Sequence, residues 1–340
     1  MKAAVFSGKG KVDVRDVPVP EIKSDEMLIK VKAVGVCGTD IHIFKGEYFT
    51  DFPVIPGHEF SGVVARAGKD TQYFREGDRV TADPNIFCES CYFCKRNLQN
   101  HCENLRVIGV SGSQANGAFA EYVAVPYKNV FPLDNSVSFE DGAFVEPLAC
   151  VAHGMDMAEI RFGSEVLIVG AGPMGLLLLQ SLKAYGGSLV VVLDLDKEKL
   201  RIAGELGADI ALPADGHEQE RLREIAPRGF DYVIDATGIP GIIERSIQHL
   251  KKAGTFLVFG VCPKDSKVSF NPYEIFLYDW KIVGSFAIRK NFHQSINMLS
   301  SGKIKTGKLL SLSYPIEKFP ELLSQKMSRL DLMKVQIKFD

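Results

Sequence analysis

The stretch that decides the fold reads Glu165-Val166-Leu167-Ile168-Val169-Gly170-Ala171-Gly172-Pro173-Met174-Gly175, and a leucine-rich segment follows it at 176–180. It predicts an apolar strand, a Gly-x-Gly-x-x-Gly turn and a helix, in the order that a dinucleotide site requires. Gly170 would make the turn, Gly172 would let the backbone approach a pyrophosphate, and Gly175 would let the helix pack close to the strand. Pro173 and Met174 complete the predicted contact surface at the helix N-terminus, which favours phosphates.

A second apolar strand follows this helix. Leu189-Val190-Val191-Val192-Leu193 ends in Asp194, at the place where an acid would hydrogen-bond the adenosine ribose of a dinucleotide. Because an ionised carboxylate would repel a 2'-phosphate, Asp194 favours NAD over NADP. The alternative interpretation is that Asp194 only caps the helix that comes next.

The two halves of the chain differ in their sequence pattern. Residues 1 to about 150 contain short β-like runs broken by Gly and Pro, such as 27–32 and 62–65, which predict a mostly β domain. After about residue 160, apolar strands alternate with helical stretches, including a predicted helix over 241–250. That alternation is typical of a parallel, doubly wound sheet. A length of 340 residues also favours two domains.

Composition excludes several classes of function. The net charge is -2 and no basic cluster marks a surface for nucleic acid. The apolar runs are far shorter than the roughly 20 residues that a membrane helix needs. The sequence begins Met1-Lys2-Ala3-Ala4-Val5 without an apolar signal segment, so we expect a cytoplasmic protein.

Four of the seven cysteines lie within fifteen residues, at Cys88, Cys91, Cys94 and Cys102. Their spacing predicts four thiolates on one structural zinc ion. Disulfides and a nucleic-acid-binding zinc ribbon are the alternatives, and the expected reducing compartment and the low positive charge speak against them. A zinc ion with four protein ligands has no open position for substrate, so the chemistry must lie elsewhere.

A sparser set of metal ligands lies closer to the N-terminus. Cys37, His58 and Glu59 offer a thiol, an imidazole and a carboxylate, which together would leave a fourth position on zinc free. Spacing alone does not bring Cys37 beside His58, and a histidine after a glycine is often only a turn residue. Both interpretations stay open at this point.

The order of these motifs resembles that of a known family. The motifs are Cys37-Gly38-Thr39-Asp40-Ile41-His42, Gly57-His58-Glu59, the four cysteines, Gly117-Ala118-Phe119-Ala120-Glu121-Tyr122, Glu146-Pro147-Leu148 and the glycine fingerprint. The chain resembles the zinc-dependent medium-chain alcohol dehydrogenases from near the N-terminus to about residue 200. Within them it is most similar to the polyol dehydrogenases of the sorbitol and xylitol type and to the threonine 3-dehydrogenases.

The resemblance implies an α/β fold with two domains. Residues 1–150 and 286–340 would form a GroES-like, mostly β catalytic domain, with a structural zinc lobe at about 84–105. Residues 151–285 would form a Rossmann NAD-binding domain with a doubly wound parallel sheet. The cofactors would be NAD and two Zn²⁺ per subunit, one catalytic and one structural, and the assembly would be a homotetramer or a dimer.

The same resemblance assigns roles at the catalytic metal. Cys37, His58 and Glu59 would ligate the zinc, and Glu146 would either supply a fourth ligand or hydrogen-bond the water that does. Asp40 would accept a hydrogen bond that orients the His58 ring.

The resemblance also implies a path for the proton. Thr39 would take the proton from the substrate alcohol, and a cofactor ribose hydroxyl and then His42 would carry it to bulk water. Lys199 would join Asp194 as a ribose contact.

The implied reaction is the NAD- and zinc-dependent oxidation of a secondary alcohol on a polyol, cyclitol or related sugar derivative to the ketone. A small-molecule alcohol would be the partner. Threonine 3-dehydrogenase and polyol-phosphate dehydrogenase are the alternatives, and a non-catalytic zinc- and nucleotide-binding protein is a remote one.

Lys45, within a pocket-lining segment at 43–49, could meet a phosphate or remain solvated. Arg289 followed by Phe292 resembles the arrangement found at this place in the threonine dehydrogenases. The Arg-Tyr pair that the polyol enzymes carry near Ser285 is missing here.

Overall fold

The computed structural model describes residues 1–48, 50–329 and 331–340. The strands in chain order are β1 (Lys2–Gly8), β2 (Lys11–Asp16), β3 (Glu26–Val36), β4 (Glu59–Ala67), β5 (Arg79–Ala82), β6 (Asn85–Ile86), β7 (Arg106–Val107), β8 (Tyr122–Pro126), β9 (Val130–Pro132), β10 (Glu165–Val169), β11 (Leu189–Asp194), β12 (Ile210–Pro213), β13 (Phe230–Asp235), β14 (Leu250–Val258), β15 (Lys281–Gly284), β16 (Leu310–Pro315) and β17 (Lys334–Lys338).

The helices are α1 (Gly38–Lys45), α2 (Tyr92–Lys95), α3 (Phe139–Gly142), α4 (Val145–Met157), α5 (Pro173–Tyr185), α6 (Lys197–Glu205), α7 (Glu218–Ile225), α8 (Pro240–Ser246), α9 (Pro272–Tyr278), α10 (Phe292–Ser300) and α11 (Phe319–Ser328). Short 3-10 turns occur at Gln99–His101, Gly112–Ala115, Tyr127–Asn129, Ile247–His249 and Ile316–Lys318. In the described part of the chain, no helix is long and apolar enough to cross a bilayer.

The chain divides into two compact units. The first contains Met1–Ala149, Ile288–Gly302 and Thr306–Asp340, and the second contains Cys150–Ala287 and Lys303–Lys305. Residues 303–305 return to the second unit because Gln180 on α5 holds them. Its side-chain carbonyl accepts a hydrogen bond from the Lys305 N–H at 2.7 Å, and its amide nitrogen lies 3.3 Å from the Lys305 carbonyl oxygen.

The first unit is built on a seven-stranded sheet. Its strands follow the order β16-β17-β3-β4-β5-β9, and β8 also pairs with β3. The long strand β3 pairs in antiparallel fashion with β4 on one side and with β8 and β17 on the other. A buried cluster that includes Phe6, Phe119 and Phe319 packs against this framework, with 4.4 Å between the ring centroids of Phe119 and Phe319.

The second unit is built on a six-stranded parallel sheet. Its strands follow the order β12-β11-β10-β13-β14-β15, and all neighbouring pairs are parallel. The central strands are fully buried at Leu167, Val191, Val233 and Phe256. The chain reverses its direction of travel across the sheet between β10 and β13, and ligands of such sheets bind at this switch point.

The prediction of a helix over 241–250 is wrong for its last part, residues 247–250. Helix α8 ends at Ser246, a 3-10 turn follows, and β14 already begins at Leu250. The early start of β14 comes from pairing of Leu250 with Phe230 on β13, a non-local contact that overrides the local helical pattern.

Candidate active site

Cys37 lies at the junction where β3 ends and α1 begins. It is the N-cap residue of α1, and its backbone N–H donates to Asp40 Oδ2 at 2.8 Å. This reciprocal cap fixes the first turn of the helix. As a result, one short segment with a fixed first turn carries Cys37, Thr39 and His42.

His58 and Glu59 come from the start of β4, the neighbour of β3. Both side chains are buried, and Glu59 pairs in register with Gly35, two residues before Cys37. This pairing brings one ligand atom each from Cys37, His58 and Glu59 within 4.8 Å of one another. The three residues that the sequence left unconnected therefore converge.

The charges around this cluster fit a divalent cation. Burial raises the pKa of the Cys37 thiol to about 12 and that of the Glu146 carboxyl to about 8. The Nδ1 atom of His58 is buried without a hydrogen-bond partner among the described residues. Sulfur, nitrogen and carboxylate oxygen are the donors that zinc prefers. A cation bound here would stabilise the ionised forms of the thiol and the carboxyl, which burial alone disfavours. The residues present therefore fit zinc.

Glu146 lies in the first turn of α4 and is not part of the convergent trio. Burial raises the pKa of its carboxyl most, and the nearby charges of Glu59 and Cys37 raise it further while that of His58 lowers it.

Asp40 is buried beside His58, but the two do not form the expected hydrogen bond. The distance from His58 Nδ1 to Asp40 Oδ1 is 3.7 Å, beyond hydrogen-bonding range. The reason is the helix cap, because Asp40 Oδ2 accepts the Cys37 N–H and holds the carboxyl towards the helix terminus.

Two further polar side chains, Thr39 and His42, lie on α1 after Cys37. The Thr39 hydroxyl lies 3.7 Å from Cys37 Sγ. One turn further on, His42 Nδ1 lies 2.8 Å from Glu47 Oε2, and both of these side chains are partly exposed. No sequence pattern pointed to Glu47 as the partner of His42.

The structure also reveals Lys334, which the sequence did not single out. Its Nζ atom lies 2.6 Å from each carboxylate oxygen of Glu59, and both side chains are buried. Burial alone would lower the pKa of Lys334, but the charge of Glu59, with that of Cys37, outweighs it and raises the pKa.

The four-cysteine lobe has the geometry of a closed metal site. The sulfur atoms of Cys88, Cys91, Cys94 and Cys102 all lie within 4.8 Å of one another. The Cys91 and Cys102 sulfurs are 4.0 Å apart, too far for a disulfide and close to the about 3.8 Å expected between two thiolates on tetrahedral zinc. Hydrogen bonds from Ser90 lower the pKa of Cys88 to about 5, which favours its thiolate.

Arg289 belongs to the surroundings of this lobe. Its Nε donates to the backbone carbonyl oxygen of Asn97, which follows α2. This contact gives Arg289 a structural partner in the backbone next to the lobe. Lys45, the other basic residue considered for substrate binding, is exposed. Phe49, the last residue of the predicted pocket-lining segment, lies outside the described residues.

The glycine fingerprint forms the turn between β10 and α5. Gly170 has a φ of 108°, a left-handed conformation that favours glycine, and a Cβ at Gly175 would lie 1.9 Å from the Gly170 carbonyl oxygen. Gly172 is the N-cap of α5 and Pro173 is its first residue, followed by Met174. A Cβ at Gly172 would meet no heavy atom within 4 Å, so this face of the turn has room for a pyrophosphate.

Asp194 connects the fingerprint turn to the end of β11. Its Oδ2 accepts the Ala171 N–H at 2.6 Å, and its Oδ1 accepts the Asp196 N–H at 2.8 Å. The helix cap that was the alternative role of Asp194 is made by Asp196, which accepts the N–H groups of Glu198 and Lys199. Lys199 is partly buried in the first turn of α6.

Comparison with known families agrees with this geometry. The family model of the alcohol dehydrogenase GroES-like domain matches residues 23–135, and that of the zinc-binding dehydrogenase matches residues 173–301. The chain therefore belongs to the zinc-binding alcohol dehydrogenase family. It is an enzyme, an oxidoreductase, and the predicted combination of a GroES-like domain with a Rossmann sheet is confirmed.

Individual relatives match over nearly the whole chain. D-arabinitol dehydrogenase 1 of Uromyces fabae is 39% identical, with 99% of this chain and 97% of the relative covered. D-altritol 5-dehydrogenase of Agrobacterium fabrum (strain C58) is 37% identical, with 99% of each covered. A crystal structure of a zinc-binding dehydrogenase from Sinorhizobium meliloti 1021 bound to NADP superposes with a TM-score of 0.94 at 34% identity, with 99% of each chain covered. The resemblance to the polyol branch of the family is confirmed.

Proposed function

We propose that this enzyme oxidises a secondary alcohol of a polyol, cyclitol or related sugar derivative to the ketone, with NAD as hydride acceptor and zinc as Lewis acid. The observation that carries the substrate class is the full-length similarity to D-arabinitol and D-altritol dehydrogenases. The convergence of Cys37, His58 and Glu59 supports the metal-dependent chemistry, because these three ligands leave a position for substrate.

The protein contributes ligands, orientation and a proton path. Bound zinc favours the alkoxide form of the substrate alcohol, and bound NAD accepts the hydride. Cys37, His58 and Glu59 hold the metal. Glu146, whose pKa burial raises to about 8, supplies a fourth ligand or positions the water that does.

The proton released by the alcohol leaves along α1. Thr39, beside Cys37, accepts it at Oγ1 while its own hydroxyl proton moves on towards His42, which releases a proton to solvent from its partly exposed position. A helix cap anchors the start of the segment that carries both groups.

NAD is the preferred cofactor in this proposal. Gly170, Gly172 and Gly175 shape the turn that receives the pyrophosphate, with Pro173 and Met174 at the helix N-terminus. The carboxylate of Asp194, with Lys199 nearby in sequence, binds the adenosine ribose and disfavours a 2'-phosphate.

A substrate panel tests the proposed reaction. Polyols, polyol phosphates, cyclitols and L-threonine are each supplied with NAD, and NADH formation is followed by absorbance. We expect turnover of at least one polyol or cyclitol. Turnover of threonine alone, or of phosphorylated polyols alone, would replace the proposed substrate class with one of these alternatives.

We propose in addition that the enzyme is a homotetramer, or a dimer, in the cytoplasm. Strand β15 pairs with β14 alone among the described strands, and exposed apolar side chains at Phe276, Leu277 and Ile282 lie on this strand and the helix before it. An apolar sheet edge of this kind favours association. Light scattering measures the assembly, and the substitution Ile282→Lys should shift it towards monomer.

The proposed cytoplasmic compartment fits the free cysteines, because a reducing environment keeps them available for zinc. Fractionation of cells would test this compartment.

A further inference from the structure

Three neighbouring strands bring a buried lysine onto a metal-ligand candidate. Strand β3 lies between β17 and β4, and Gly35 on β3 pairs with Gln336 on one side and with Glu59 on the other. A Cβ at Gly35 would lie 2.3 Å from Glu59 Oε2 and 3.3 Å from Lys334 Cε. The missing side chain of Gly35 therefore makes the room in which Lys334 and Glu59 meet.

The pair is isolated from solvent. The side chain of Lys334 is 8% exposed and that of Glu59 is 1% exposed. The ammonium group lies 2.6 Å from both oxygens of the carboxylate. It therefore binds the same two oxygen atoms that Glu59 would offer to a metal ion. Burying two charges costs free energy that a mutual attraction does not always offset. A lysine held at this position is therefore expected to have a role beyond stability.

We propose that Lys334 is a positioning residue that holds Glu59 and competes with the catalytic metal for its carboxylate oxygens, and so sets how fast the site releases that metal. The inference rests on the proposed role of Glu59 as a ligand. In the metal-free protein Lys334 is the counter-ion of Glu59. In the loaded protein Glu59 would serve as a ligand of the ion while Lys334 stays next to its carboxylate.

The direction of the effect follows from charge. Removing the ammonium group removes a positive charge next to a divalent cation, which favours the loaded state. It also leaves Glu59 buried without a counter-ion in the metal-free state, which disfavours that state. Both effects act in the same direction, so a neutral residue at position 334 should slow metal release.

The experiment measures zinc transfer from the loaded enzyme to an excess of a chromogenic chelator. Zinc per subunit is first determined by mass spectrometry, and the variant Cys37→Ser identifies the release phase that belongs to this site. We expect Lys334→Met and Lys334→Gln to slow that phase by about tenfold or more, because each tenfold corresponds to only about 1.4 kcal/mol. Lys334→Arg, which keeps the charge, should release zinc at close to the wild-type rate.

Two controls separate the proposed role from general damage. Lys338→Met removes the other lysine of β17, which pairs with Glu140, and should leave the release rate unchanged. In a Glu59→Gln background, Lys334→Met should have little further effect, because Lys334 acts through Glu59.

The outcomes distinguish the two proposals. A folded Lys334→Gln or Lys334→Met protein that releases zinc as fast as the wild type, or faster, overturns the role of Lys334. If Lys334→Met does not fold, Lys334→Gln, which can still hydrogen-bond Glu59, decides. If the wild type and Cys37→Ser carry the same amount of zinc, the assignment of the catalytic site itself fails.

Discussion

His42 Nδ1 and Glu47 Oε2 lie 2.8 Å apart, just beyond the last turn of α1. The contact forms because Gly46 takes a left-handed conformation with φ of 69° and the Glu47 N–H donates to the His42 carbonyl oxygen. The chain thus folds back and places the Glu47 carboxylate against the imidazole. The hydrogen bond from His42 lowers the pKa of Glu47, so the partner of the imidazole is an anion.

This pairing predicts how proton release responds to substitution. His42→Gln should lower kcat by about 10²-fold, the lower end of the range for a lost acid-base group, and added imidazole should restore part of the rate. Glu47→Ala should lower kcat less, since the imidazole remains but loses its orienting partner. Steady-state kinetics with and without imidazole measure both effects. The control His217→Gln, at an exposed histidine of the second unit, should leave kcat unchanged. A full rate in His42→Gln would exclude the proposed proton path.

The fold could be predicted because its signals are local. The strand, glycine turn and helix at 165–180 are contiguous, and the structure reproduces their order. The four cysteines also lie close together in sequence, so their convergence needs only short turns. By contrast, Cys37 and His58 are brought together by the pairing of β3 with β4, and the sequence supported their convergence through resemblance alone.

Other parts of the site could not be predicted from the sequence. Lys334 and Glu59 are 275 positions apart, and a lysine in a strand is usually interpreted as a surface residue. Only the order of strands in the sheet brings them together. Glu47 is near His42 in sequence, but its contact depends on the backbone conformation of Gly46.

Cofactor choice should depend on the charge of Asp194. Asp194→Asn removes the negative charge but keeps a side chain that can accept hydrogen bonds from the backbone of Ala171 or Asp196. We expect the ratio of kcat/KM for NAD to that for NADP to fall by about tenfold or more, because like charges in contact cost several kcal/mol. The matched control is Asp196→Asn, which alters the cap of α6 but should leave the ratio unchanged. An unchanged ratio in Asp194→Asn would assign Asp194 to the structure of the turn alone.

The four-cysteine lobe should lose its metal when one sulfur is removed. Cys94 is buried within the lobe, and Cys94→Ser should reduce the zinc content from two ions to one per subunit and lower the melting temperature. Elemental analysis and thermal unfolding measure the two effects. Cys262→Ser changes a cysteine that belongs to neither convergent group, so both ions should remain. Retention of two ions by Cys94→Ser would contradict a four-sulfur site.

Asp83 should make stability depend on pH. It follows β5, its Oδ1 accepts the backbone and side-chain N–H groups of Asn85 at 2.9 Å each, and burial raises its pKa to about 6. Because the pKa in the folded state exceeds the unfolded value of 3.8, its contribution to stability is fully present below about pH 4 and is lost as the pH rises through 6.

The variant Asp83→Asn cannot titrate, so its free energy of unfolding should rise relative to the wild type between pH 4 and 7, by about 3 kcal/mol. Melting temperatures of both proteins, compared at each pH, measure the trend. Asp134→Asn provides a control of opposite sign. The Ser136 hydroxyl lowers the pKa of Asp134, so this variant should lose stability relative to the wild type at neutral pH and recover as the pH falls. A constant gap between Asp83→Asn and the wild type across this range would show that Asp83 remains ionised, or remains protonated, throughout.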